Sequence, residues 1–235
     1  IYKFASYGFN KSHAVGYSIK LSIMASIKNK YPLIFYKAML KIKKVTGVDK
    51  ENLINEAKKL NVKFSLPSIN KSKLSYDIVD NTIMVGLTNI LTINENIALR
   101  IIKEREKGLF SDYIDCFIRL AINDISMDII KNLIYAGAFD CFLISRSNLI
   151  GNIERIYDNA LMFKGLDYQV NSYLDKYSYI KMPYLEDYSI SKMDLVDKEK
   201  EVLGFNISIS PLTEIKEKIN KNYSLVNTIQ EDNLK

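Results

Sequence analysis

The sequence predicts a mainly α-helical protein with a small β-hairpin region. Three observations carry that prediction. Apolar residues recur at helical spacing through most of the chain, a short central stretch switches to β-branched strands, and Pro, Gly, Asp and Asn punctuate the joins. The composition fits a globular chain, with 48% of its 235 residues hydrophobic and 26% charged. That excludes a largely disordered chain, and the length suffices to bury a core without staples. No stretch approaches the ~20 apolar residues of a membrane-spanning helix, so no membrane partner is expected. Cys116 and Cys141 cannot build a disulfide framework, and two buried thiols in a reduced compartment are expected. One histidine and no CxxC pair leave little for a metal site. The chain opens at Ile1 without a signal-peptide pattern and reads as a piece of a longer protein.

The elements follow in order. Ala14, Tyr17, Leu21, Met24 and Ile27 predict a helix over 12–30, with Ser12 as its cap. Pro32 suits the first turn of a second helix, running to about Val45 and stopped by Gly47. Asp49 is the expected cap of a third, over 50–60. The period then changes. KFSLPSI, KLSYDIV and NTIMVG, bounded by Pro67, Asn70 and Asp80-Asn81, predict two or three short strands near 63–85. Helical spacing returns in short pieces. Leu87–Leu91 and Glu95–Lys107 flank the tight connection Thr92-Ile93-Asn94. Ser111 is read as the cap of 112–121 and Ser126 as the cap of 127–136, followed by AGAFD at 136–140 and a helix near 146–163. Residues 164–192 are tyrosine-rich, contain Pro183 and show no period, so they read as a linker or long loop. A short helix is expected within 194–206, and Pro211 opens another to about Asn222.

Two short helices joined by a tight turn, twice in succession, is the plan of tandem helix-hairpin-helix units. Such units hold DNA phosphate with hairpin amides and the open N–H groups of the following helix. Charge is placed consistently with that reading. Residues 1–63 carry thirteen lysines against three acids, and residues 1–44 carry no acid at all. Residues 64–235 carry twenty Lys and Arg against twenty-four Asp and Glu. A segment of one sign attracts a polyanion by steering and counterion release. The alternative is a solvated lysine-rich surface.

The opening FASYGFNKSHAVGYSIKLSIMASIKNKYPLIFYKAML resembles the end of the fingers domain of bacterial DNA polymerase III alpha subunits of the DnaE type. In that family a YGFNKSHA-like string starts a long helix that ends at a Tyr-Pro pair, here Tyr31-Pro32. Further blocks resemble the family in its order. LPSINKSKLSYDI matches a strand segment, IMVGLTNILTINENIALRIIKEREKGLFSDYIDCF the first helix-hairpin-helix, IIKNLIYAGAFD the second, and EKEVLGFNISISPLTEI the block before an OB-fold.

The resemblance implies three parts: the C-terminal part of the fingers at 1–60, a tandem helix-hairpin-helix DNA-binding domain at 61–165, and a linker with a helical lead-in to the OB-fold at 166–235. It places Asn10, Lys11, Ser12 and His13 near the incoming dNTP and the primer–template end. Lys11 suits a triphosphate as a mobile point charge. The alternative is that Ser12 only caps and His13 only packs. Lys20, Thr92, Asn94, Asn96, Gly137 and Ala138 would grip duplex DNA without reading bases. A sliding-clamp-binding peptide is expected in the tyrosine-rich stretch. Gln169, Tyr173 and Leu174 in QVNSYL are one candidate, and YIKMPY at 179–184 is a second. Other replisome subunits are implied partners, and the expected location is cytoplasmic.

Two departures from the family stand out. Its first hairpin reads Gly-Val-Gly, where this chain has Thr92-Ile93-Asn94. Asn94 tolerates a left-handed conformation better than Thr92 does, so a distorted first hairpin is expected, with Gly137 retained in the second. The usual Ser-Gly-His-Pro before the OB-fold is Ser208-Ile209-Ser210-Pro211. No PDxD-like pair of carboxylates for two metal ions occurs, and no other enzymatic motif is found. The family's catalytic aspartates lie in an upstream palm domain. Magnesium is therefore implied for the full-length polymerase, with no catalytic residue in this chain. Two other readings remain: a stand-alone helix-hairpin-helix duplex-binding module of DNA repair, and an all-helical interaction protein.

Overall fold

A computed structural model describes residues 11–42, 47–166 and 184–208. The fold is mainly helical, as the periodicity predicts, with one small three-stranded sheet. The chain divides into two units, one of residues 1–63 with 78–83 and one of residues 64–77 with 84–235.

The first unit holds helices α1 (Lys11–Lys30), α2 (Pro32–Lys41) and α3 (Gly47–Lys59). Pro32 occupies the first turn of α2, where its missing N–H costs nothing. Tyr36 and Leu40 of α2 are buried, as are Ile54 and Ala57 of α3. α1 buries no residue along its 20 positions. The Lys28 ammonium pairs with Glu56 and lies 5.8 Å from the centroid of the Tyr36 ring. The hydrogen bond to Glu56 raises the Lys28 pKa. Three expected boundaries are corrected. Ser12 lies inside α1, Gly47 opens α3, and Asp49 sits in the first turn of α3, where its charge favours the helix N-terminus.

The sheet has β1 (Lys63–Ser65), β2 (Asp77–Val79) and β3 (Thr82–Met84) in the order β1-β3-β2. Asp80 and Asn81 join β2 to β3 with φ of 50° and 58°. Two left-handed residues make the turn whose twist matches a hairpin, and Asp and Asn are the residues that tolerate it.

In the second unit, α4 (Glu95–Glu106) and α5 (Tyr113–Ile122) are followed by α6 (Met127–Tyr135), α7 (Arg146–Gly151), α8 (Ile153–Leu161) and α9 (Lys192–Leu203). A short 3-10 turn at Leu87–Asn89 precedes α4. The core includes Ile101, Phe117, Leu120, Leu133, Phe139, Phe163 and Phe205. Phe117 and Phe139 meet edge to face with centroids 5.7 Å apart. Asp112, not Ser111, caps α5, because its Oδ1 accepts the Asp115 N–H at 2.9 Å. The helix expected over 146–163 is broken at Asn152, which leaves helical geometry with φ −106° and ψ 6°. Cys116 is buried, and burial raises its thiol pKa well above the ordinary value. Cys141 is exposed, so the expectation of two buried thiols holds for one.

Candidate nucleic-acid interface

Two turns of the second unit share one geometry. In the first, Thr92 has φ 69°, Ile93 is buried, and Asn94 is the N-cap of α4. In the second, Asp124 has φ 53°, Ile125 is buried, and Ser126 is the N-cap of α6. The pattern is the same each time: a left-handed residue, an isoleucine anchor, a cap, then a helix. Thr92, Asn94, Asp124 and Ser126 are all exposed. The isoleucine ties each turn to the core, and the helix that follows presents first-turn amides it cannot satisfy internally. Asn96 lies in that first turn of α4, exposed.

The first turn is formed without glycine. Thr92, not Asn94, takes the left-handed conformation, which reverses the expectation from residue preference. Asn94 is extended, with φ −80° and ψ 174°, and its Oδ1 accepts the Ile97 N–H at 3.0 Å. The side chain of Asn132 on α6 donates to Thr92 Oγ1 at 2.9 Å and to the Leu91 carbonyl at 3.4 Å. The Leu91 N–H donates to the Val202 carbonyl of α9 at 2.8 Å.

The second turn lies at Asn123–Ser126, not at 136–140. Gly137 and Ala138 are buried, and their N–H groups donate to the Ile134 and Leu133 carbonyls at 2.9 Å each. They close the C-terminus of α6, where Gly137 supplies φ 84°. Their amides are spent inside the fold, which moves them out of the surface role expected from the sequence. Ser126 is expected only as a cap and Asp124 is not singled out, since Asn-Asp-Ile-Ser contains no glycine. The usable signal was the repeat of Thr92-Ile93-Asn94 as Asp124-Ile125-Ser126. The Tyr157 hydroxyl donates to the Ile125 carbonyl at 3.0 Å and braces this turn from α8. Lys164 pairs with Asp124 at 2.5 Å, and that hydrogen bond lowers the Asp124 pKa. A bare carboxylate here would repel phosphate, and Lys164 offsets it.

Arg119 fixes the connection between the turns. It is buried, and its guanidinium donates to Glu104 Oε1 at 3.0 Å, to Asp115 Oδ2 at 3.1 Å, and to the carbonyls of Glu104, Gly108 and Leu109. Phe110 covers it, with the guanidinium 4.3 Å from the ring centroid.

Residues 184–191 run as an extended strap along α7 and α8. Asn152 accepts the Glu186 N–H at 3.1 Å and donates to the Glu186 carbonyl at 2.9 Å. Asn148 accepts the Tyr188 N–H at 3.0 Å, and Ser147 Oγ accepts the Ile190 N–H at 3.3 Å. The Tyr188 ring lies over Gly151, where a Cβ would come within 2.1 Å of it. α9 follows and is held by buried Glu199, which pairs with Arg146 at 3.0 Å and accepts the Ile207 and Ser208 amides.

In the first unit, Lys11, Ser12 and His13 share the first described turn of α1, exposed. His13 and Tyr17 rings lie 4.5 Å apart, and the Lys20 ammonium is 6.0 Å from the Tyr17 ring. Asn10, Gln169, Tyr173 and Leu174, with most of the 179–184 string, lie outside the described residues. Among the described residues no group of His, Cys, Asp and Glu could hold a metal ion, so no magnesium site is assigned to them. Nor is any helix among them long and apolar enough to cross a membrane.

The duplicated turn on short helices has the helix-hairpin-helix plan, and the family described as "Helix-hairpin-helix motif" matches residues 61–149. The chain is related along about nine-tenths of its length to a segment of DNA polymerase III subunit alpha. It is 31% identical to that protein of Bacillus subtilis over 220 residues, covering 93% of this chain and 20% of the relative. The Staphylococcus aureus protein is 33% identical over 215 residues, covering 90% and 20%. The Buchnera aphidicola protein is 38% identical over 156 residues, covering 65% and 13%. The chain thus spans about a fifth of the length of the first two.

Proposed function

We propose that this chain supplies a sequence-independent grip on duplex DNA within a replicative DNA-directed DNA polymerase. One observation carries the reading: two exposed turns of the same geometry, each opening a helix whose first-turn amides have no partner within the helix itself. Oriented amides at a helix start attract phosphate by hydrogen bonding and by the helix dipole. Such contacts position a duplex and carry no sequence information, which suits an enzyme that copies any template. The relationship to DNA polymerase III subunit alpha supports the same assignment.

The lysine-rich opening extends the reading. Lys11, Ser12 and His13, with Asn10, would meet the incoming dNTP and the primer–template end, and Lys20 would lie along the DNA backbone. The resident magnesium ions and the catalytic carboxylates belong to a palm outside this chain, so the chain alone extends no primer. The tyrosine-rich stretch at 164–192, with Gln169, Tyr173 and Leu174 as candidate anchors, would tether a sliding clamp, and the three-part division at about 60 and 165 follows from these roles.

A salt series of duplex and single-strand binding tests the grip. Contacts to ~3–5 phosphates predict a log–log slope of roughly −3 to −4.5, with duplex preferred and sequence indifferent. Lys11→Ala and a change at Asp124–Ser126 should weaken binding separably. A folded chain that ignores duplex at low salt would overturn the proposal. The competing reading, a stand-alone repair module, is favoured if duplex binding is unaffected by Lys11→Ala.

A further inference from the structure

Thr92 is a β-branched residue in the left-handed region, at φ 69°. Its Cβ substituents crowd the backbone there, and such a residue persists only where its surroundings over-determine it. Two contacts do so. The Asn132 side-chain amide donates to Thr92 Oγ1 at 2.9 Å and to the Leu91 carbonyl at 3.4 Å, tying the Thr92 side chain to the peptide before it. The Leu91 N–H is held at 2.8 Å by the Val202 carbonyl, in the last turn of α9. Asn132 lies on α6, the helix that the second turn opens.

We infer that Asn132 is a positioning residue for the first hairpin, holding Thr92 in the conformation that aims the start of α4 at a phosphate. The phosphate role rests on the proposed duplex grip. The hold also links the two hairpins: the helix launched by the second supports the turn of the first. α9 shares the task through a backbone bond that its own side chains do not alter.

The hold has a specific signature. Glycine adopts a positive φ without help, so Thr92→Gly removes the need for Asn132. Without the hold, the competent hairpin becomes a minor conformer and apparent affinity falls with its population. The test uses the whole chain as wild type, Asn132→Ala, Thr92→Gly and the double variant. Binding to a fluorescein-labelled duplex of mixed sequence is read by anisotropy, and amide exchange at Ile93 and Ile97 by NMR. Asn132→Ala should weaken duplex binding about ten-fold and speed both exchange rates. The double variant should return both readouts to near wild type, which mere loss of a packing contact would not allow. Asn132→Ala matching wild type in exchange, or a double variant as impaired as Asn132→Ala, overturns the inference. Wild type that binds no duplex overturns the grip, and the exchange rates still judge the hold.

Discussion

Replacing Arg119 by methionine probes the joint between the hairpins. All five N–H donors of this buried guanidinium are engaged. Methionine matches much of its apolar stem and none of its donors. The variant removes the cation paired with the Asp115 carboxylate, which is fully buried and keeps the Ser111 N–H at 3.2 Å, and weakens the hold on Glu104, which keeps Lys107 at 2.6 Å and Asn123 at 3.0 Å. Breaking a buried pair from one side costs about 3–5 kcal/mol, against a total stability of about 5–15 kcal/mol for a domain. Urea unfolding followed by far-UV circular dichroism measures the loss, since the chain has no Trp for fluorescence. Adding Glu104→Gln and Asp115→Asn should recover part of it by removing the buried negative charge that Arg119 no longer balances. An Arg119→Met cost below about 1 kcal/mol would refute the reasoning, because it would mean the cluster is wet and replaceable.

Acid should weaken the same joint. Burial alone would raise the Glu104 carboxyl, but hydrogen bonds from Lys107, Arg119 and Asn123 outweigh it and hold its pKa below the usual 4.5. A lowered folded-state pKa gives stability that is full above the unfolded value and is lost as pH falls through the folded one. Urea midpoints should therefore drop below about pH 4.5, and the drop should shrink in Glu104→Gln. Gly137→Ala should destabilise by about 1–3 kcal/mol, because it adds a Cβ at φ 84° and 2.4 Å from Arg146 Nη2; thermal unfolding checks it. Asn152→Ala should leave overall stability within about 1–3 kcal/mol of wild type while amide exchange at Glu186 accelerates. Unchanged exchange there would mean the strap is held by other contacts.

The helices were legible because their faces are written in apolar spacing. Pro32 and Asp80-Asn81 mark boundaries by local chemistry, and the structure uses both; Ser126 marks the start of α6 by position, without a side-chain cap bond. What stayed hidden was set by tertiary contacts. Nothing local says that Thr92 takes a left-handed φ, because the force holding it comes from Asn132, forty residues away. Gly137 misdirected the search for the second hairpin: glycine marks a positive φ, and that φ served a helix end rather than a surface turn. The break at Asn152 was equally invisible, since its side chain answers to Glu186 across the strap. Nothing in helical spacing marks Arg119, Glu104 and Asp115 as core residues, yet all three are buried.

The strap is held chiefly through its main chain. Asn152, Asn148 and Ser147 reach the N–H and C=O groups of Glu186, Tyr188 and Ile190, which every amino acid except proline offers alike. Side-chain contacts along it, such as Arg155 to Glu186 at 2.9 Å, are exposed and contribute little. Mutational drift can therefore rewrite most of 184–190, the Tyr188 ring over Gly151 excepted, without moving it. The constraint falls instead on the helix face beneath, where Ser147, Asn148, Gly151 and Asn152 must each stay as they are. A lineage could change what this stretch displays to solvent, generation after generation, while its path across the domain is inherited intact.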